Sequence, residues 1–112
     1  MRFAIPLADG KLCAHFGHCR SFAMIDADTA AKTITGRNEI EAPPHQPGLL
    51  PRWLAERGAN VVIAGGIGGR AKGLFAEHGI DVVTGARSEA PDTLVLDYLS
   101  GALVTGDNIC DH

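Results

Sequence analysis

The hydrophobic pattern has two rhythms. In the first half, "RFAIPL" alternates, with Phe3, Ile5 and Leu7 on one face, and predicts a strand. "SFAMID" (Ser21 to Asp26) predicts a second strand and "DADTA" a turn. "KTITGRNEIEA" returns as a third strand, antiparallel to the second. "PPHQPG" (Pro43 to Gly48) reads as a loop by its Pro and Gly density. "LLPRWLAERG" predicts a helix with Leu50, Trp53 and Leu54 on one face and Gly58 just past its end.

The second half is more regular. "NVVIAG" is a strand of the fully buried type, with three β-branched residues in a row. "RAKGLFAEHG" predicts a helix whose core face carries Ala71, Leu74, Phe75 and His78, the histidine being structural, with Gly79 as its stop. "IDVVTG" is another strand. "SEAPDTLVLDYLSG" predicts a helix with Ser88 as N-cap, Leu94, Tyr98 and Leu99 toward the core, and Gly101 as terminator. The order is β-β-β-α-β-α-β-α. The last two strands are joined through a helix and should be parallel. The expectation is an α/β domain with a mixed five-stranded sheet and about three helices, on one face or both. Residues 1–101 would form a single domain, and 102–112 a C-terminal tail.

Composition narrows the function. The 112 residues are 46% hydrophobic and 21% charged, ordinary globular usage. A net charge of -3 offers no basic face for nucleic acid. No apolar run approaches the ~20 residues of a membrane span, and the N-terminus does not read as a secretory signal. Three cysteines, an odd count without such a signal, suit free thiols or a metal site in a cytoplasmic protein.

The cysteines are placed beside histidines. "CAHFGHC" holds Cys13, His15, His18 and Cys19 in seven residues, and "NICDH" adds Cys110 and His112 at the other end. Thiolate and imidazole are the side chains that bind soft and borderline metals best. His45, in the Pro-rich loop, is a further candidate ligand. Taken singly, each residue could be a buried thiol or a loop histidine; the cluster is what points to metal. The tail could span about 36 Å if extended at ~3.3 Å per residue, so it can reach the loop.

A second feature is "AGGIGGRA", which follows a strand and opens a helix. Gly65, Gly66, Gly68 and Gly69 leave backbone N–H groups at a helix N-terminus, a ready anion site, and Arg70 adds charge. The dinucleotide fingerprint is incomplete, because no acid ends the next strand. The turn is therefore read as a close approach of helix to sheet, as a small-anion or nucleotide site, or as N–H donors to a metal cluster. Catalytic motifs are absent. Asp26, Asp28, Glu39 and Glu41 read as the solvated side of a hairpin, so no enzyme is expected.

Taken with its motifs, the chain resembles the dinitrogenase iron–molybdenum cofactor biosynthesis family. The resemblance rests on "MRFAIPLADG", "HFGHCRSFAMID", "GANVVIAGGIGGRAKGLFAEHGIDVV" and the final "CDH". The family takes in small carriers of nitrogenase assembly and the orange protein. The resemblance implies a ribonuclease H-like fold and a carrier of an iron–sulfur or iron–molybdenum type cluster. His15 stands at the family's "HFG" histidine, and Cys19, Cys110 and His112 match a stand-alone subgroup; Cys13 lies outside the family pattern. The implied partner is a cluster donor or acceptor protein, with the chain a monomer or a homodimer. Two other readings stay open: a mononuclear zinc or iron site with a regulatory or structural role, and an anion-binding module built on the Gly-rich turn.

Overall fold

The computed structural model describes residues 1–13, 19–44 and 48–103. Six strands and three helices follow in the order β1 (Arg2–Ala8), β2 (Lys11–Leu12), β3 (Ser21–Asp28), β4 (Thr33–Glu41), α1 (Leu49–Glu56), β5 (Val61–Ile63), α2 (Gly69–Glu77), β6 (Asp81–Val83) and α3 (Pro91–Ser100). The sheet order is β4-β3-β1-β5-β6. β1 runs antiparallel to β3, and β3 to β4, while β1, β5 and β6 are parallel. The mixed sheet and three helices are as expected. The count of five strands is corrected to six, because β2 is a two-residue strand paired with the end of β1. Asp9 and Gly10 make the turn, both at positive φ (55° and 79°). That is the geometry a two-residue Asp-Gly hairpin requires.

Helices cover both faces. On one, Phe3, Ile5, Leu7, Ile25 and Ile63 pack against Leu94 and Val95 of α3. On the other, Ala4, Phe22, Val62 and Ile67 pack against Leu54 of α1 and Phe75 of α2. β1 is central and buried along its whole middle. Its second face carries Ala4 and Pro6, small enough for Phe22 and Phe75 to fill the layer above.

Two predicted roles change. His78 is exposed: it is the C-cap of α2, where helical periodicity has ended. Ser88 does not cap α3, which starts on Pro91 with Ala90 as N-cap and no side-chain cap. Instead, Ser88 Oγ donates to the Leu12 carbonyl (2.9 Å). Gly58, Gly79 and Gly101 do follow their helices in the left-handed region, as predicted.

Arg2 ties three elements together at the far end of the sheet. Its Nε and Nη2 donate to the two carboxylate oxygens of Asp26 (2.7 and 3.3 Å), and its Nη1 donates to the Arg57 carbonyl at the end of α1 (2.6 Å). The guanidinium holds the Asp26 carboxyl below the usual carboxylate range. A lowered folded-state value contributes stability that is present above the unfolded value near ~3.9 and is lost as pH falls through the folded one. Acid denaturation below about pH 4 should therefore be shallower in Asp26→Asn than in the parent, as measured by urea midpoints at successive pH values.

Candidate functional site

The topology brings the described candidates, Cys13, Cys19 and the Gly-rich turn, to one end of the sheet. The carboxyl ends of β1, β4, β5 and β6 and the amino end of β3 all lie there. In open α/β sheets this is where ligands bind. The two thiol-bearing positions flank the end of β1. Cys13 donates its N–H to the Pro6 carbonyl (2.8 Å), on the side where β5 also pairs. Arg20, next to Cys19, donates its N–H to the Leu7 carbonyl (3.0 Å), on the β3 side. Leu12 is anchored from below by the Glu89 carbonyl, which accepts its N–H at 3.1 Å.

Cys13 and Cys19 are the cysteines among the described residues. Leu12 shares its register, and so its face, with Leu7 on the α3 side. The next residue, Cys13, therefore faces the α1/α2 side, where Cys19 also packs. Cys13 is buried and Cys19 half-buried. Burial pushes the Cys19 thiol up to about 11, and the nearby Cys13 sulfur adds to the rise. The two sulfurs thus lie within electrostatic reach of each other. At neutral pH Cys19 is a thiol, so a metal captured there must displace its proton.

The Gly-rich turn lies at the same end and on the same face. Ala64 donates its N–H to the Val83 carbonyl (2.8 Å), and Gly85 donates to the Gly65 carbonyl (2.9 Å), so the segments after β5 and β6 are clipped together. Gly65, Gly66 and Ile67 are buried; Gly68, Gly69 and Arg70 are exposed. Gly68 is the N-cap of α2, without a side-chain cap and with no acid in the first turn. Among the described residues no side chain caps the first-turn N–H groups, which a helix N-terminus leaves without an intrahelical partner. A Cβ built at Gly68 or Gly69 would meet nothing within 4 Å. Close packing of helix on sheet is therefore not why these two residues are glycine, which corrects that reading of the turn for this half of it. Among the described residues, the space at these two Cβ positions is open. Gly68→Ala and Gly69→Ala should leave thermal stability within about 0.5 kcal/mol of the parent. Each should weaken any anionic ligand that the N–H groups hold, as read by ligand titration of the same variants.

His15, His18, His45, Cys110 and His112 lie outside the described residues. Their places in the chain can still be stated. His15 and His18 fall between Cys13 and Cys19, and His45 falls between β4 and α1, a connection that starts at the same sheet end: Ala42 donates its N–H to the Arg20 carbonyl (3.0 Å). α3 runs from the site end to the far end, where Tyr98 meets Phe3 edge-on (5.1 Å between centroids). There Gly101, at φ 77°, turns the chain. Leu103 then donates its N–H to the Asp97 carbonyl (3.1 Å) and borders a small cavity with Arg87 and Glu89. The last described residue has thus been turned back beside the segment that leads into α3 from the site end. Among the described residues no three His, Cys, Asp or Glu converge on one point. The described soft donors at this end are the thiols of Cys13 and Cys19. No described helix is long and apolar enough to cross a membrane.

Residues 1–101 match the family described as dinitrogenase iron-molybdenum cofactor. A curated relative, the uncharacterised protein MJ0580 of Methanocaldococcus jannaschii, is 29% identical over 109 residues, covering 92% of this chain and 89% of that protein. The crystal structure of PH0822 superposes with a TM-score of 0.85 at 32% identity, covering 94% of each chain. The apo form of the orange protein from Desulfovibrio gigas shares the fold, with a TM-score of 0.72 at 23% identity, over 96% of this chain and 93% of that one.

Proposed function

We propose that this chain, which belongs to the dinitrogenase iron-molybdenum cofactor family, is a carrier that holds an iron–sulfur or iron–molybdenum type cluster as cargo at the carboxyl end of its parallel strands. The observation that carries this reading is the shared location of three features. Cys13, Cys19 and the uncapped N-terminus of α2 occupy one sheet end on one face. A metal–sulfide cluster needs soft ligands for its metals and hydrogen-bond donors for its sulfides. The thiols supply the first and the first-turn N–H groups the second. His15, His18, His45, Cys110 and His112 complete the ligand set in this reading.

The arrangement suits reversible holding. Each metal bond formed at Cys19 must displace a proton, because burial raises that thiol. Cargo can then leave for an acceptor protein without unfolding the domain. An odd count of three cysteines suits a reducing compartment, and we place the protein in the cytoplasm. The central β1 flanked by an antiparallel pair on one side and parallel strands on the other is the arrangement we assign to the ribonuclease H-like type. In this reading the chain binds and transfers, and it does not catalyse.

The test is a 1H–15N spectrum titrated anaerobically with cluster. The amides of Leu12, Cys13, Arg20, Gly69 and Arg70 should shift or broaden, while those of Phe3, Gly58 and Tyr98, at the far end, should not. Perturbation centred on the far end would overturn the assignment.

A further inference from the structure

β4 is an edge strand, paired with β3 and, among the described residues, with no other strand. Its outward groups can be identified. Ala42 and Arg20 are hydrogen-bonded to each other, so by the alternation of an antiparallel ladder Ile40, Asn38 and Gly36 also face β3. Glu41, Glu39 and Arg37 therefore present N–H and C=O outward. A bulge at Thr35 interrupts the strand, since Asp26 opposes Gly36 and Ala27 opposes Ile34. The regular edge is Gly36 to Glu41. It contains no Lys and no Pro, the residues that most often block an edge.

We propose that this edge pairs with the same edge of a second copy of the chain, antiparallel about a two-fold axis through Asn38. The charges select that register. An axis through Arg37 sets Arg37 against itself, one through Glu39 sets Glu39 against itself, and one through Ile40 sets Glu39 against the partner's Glu41. The axis through Asn38 sets Arg37 against the partner's Glu39, and by symmetry does so twice. It also sets half-buried Ile40 against the partner's Gly36, which has no side chain to oppose it.

Arg37 and Glu39 share a face, because they oppose Ile25 and Ala23, both in the α3-side core. Arg37 already contacts Asp92 of α3 through Nη1 (2.8 Å). A guanidinium has five N–H donors, so the pair with Glu39 does not require that contact to break. On the opposite face the edge borders an open groove of about 470 Å³ lined by Arg2, Asp26, Asn38, Ile40 and Arg57. In the dimer two such grooves meet at the axis. This inference does not depend on what the chain carries.

Sedimentation equilibrium from micromolar to millimolar concentration tests it. The parent should approach twice the monomer mass. Arg37→Glu and Glu39→Arg should each stay monomeric through like-charge opposition, and an equimolar mixture of the two should recover the dimer. Glu39→Pro removes an outward N–H without touching the β3 ladder, and it should be monomeric with unchanged circular dichroism. It keeps the test intact if Arg37→Glu loses its fold along with the Asp92 contact. A parent that stays monomeric at millimolar concentration would overturn the proposal. So would single variants that dimerise like the parent, or two folded variants whose mixture remains monomeric.

Discussion

Replacing Cys19 with serine is expected to lower the affinity for a metal–sulfide cluster by more than about tenfold, since loss of even an outer partner of a metal ligand costs 10–100-fold. Cys19 is the more exposed of the two described thiols, and its sulfur faces the same side as the open N-terminus of α2. A serine hydroxyl is a poor ligand for soft metals, and at this half-buried position it should be accommodated with little loss of fold. Cys13→Ser should behave differently. Cys13 is only 9% exposed. Its replacement buries a hydroxyl and should cost about 1–3 kcal/mol of stability, with a separate loss of cluster binding. Cluster titration beside urea denaturation of the two variants distinguishes the effects.

The second large effect is expected in the core. Phe75→Ala should destabilise the domain by about 3–5 kcal/mol, the usual cost of emptying a buried phenylalanine site. Phe75 is fully buried in the layer between the sheet and the paired helices α1 and α2. Its backbone carbonyl also accepts the N–H groups of His78 and Ile80 at the end of α2. The ring holds α2 against the sheet, and α2 presents the first-turn N–H groups at the candidate site. Cluster affinity should therefore fall together with stability in Phe75→Ala, whereas in Gly68→Ala and Gly69→Ala it should fall alone. Thermal denaturation and cluster titration of the same three variants provide the check.

Much of this fold was legible because the second half of the chain obeys simple rules. "NVVIAG" and "IDVVTG" are β-branched runs closed by glycine, and α1, α2 and α3 are followed by Gly58, Gly79 and Gly101 at positive φ. What escaped prediction was decided by partners distant in sequence. β2 is too short for any periodicity. Its signal was the Asp9-Gly10 pair, a hairpin marker that becomes meaningful only when the end of β1 is free to pair. Ser88 looks like an N-cap, but its hydroxyl donates to the Leu12 carbonyl, 76 residues away in sequence. His78 fits the apolar stripe of α2 by spacing, yet the helix unwinds there and the side chain turns to solvent.

The candidate site was legible as a list of residue types and not as a place. The thiols and the Gly-rich turn are about fifty residues apart in sequence. They share one sheet end because β1 and β5 are parallel neighbours, so the segments that follow them emerge at the same end. Spacing put Cys13 in the cluster, whereas the family pattern left it out. Its backbone bond to Pro6 places it beside the end of the central strand, within electrostatic reach of Cys19.

The most direct test of the carrier assignment is anaerobic reconstitution with iron, sulfide and molybdate, read by visible absorbance and by metal content per chain, for the parent and a His15→Ala/Cys19→Ser double variant. A coloured parent holding several metals per chain, with colour and metals lost in the double variant, is the predicted result. A colourless parent with a single zinc or iron per chain, or one with no metal at all, would contradict it.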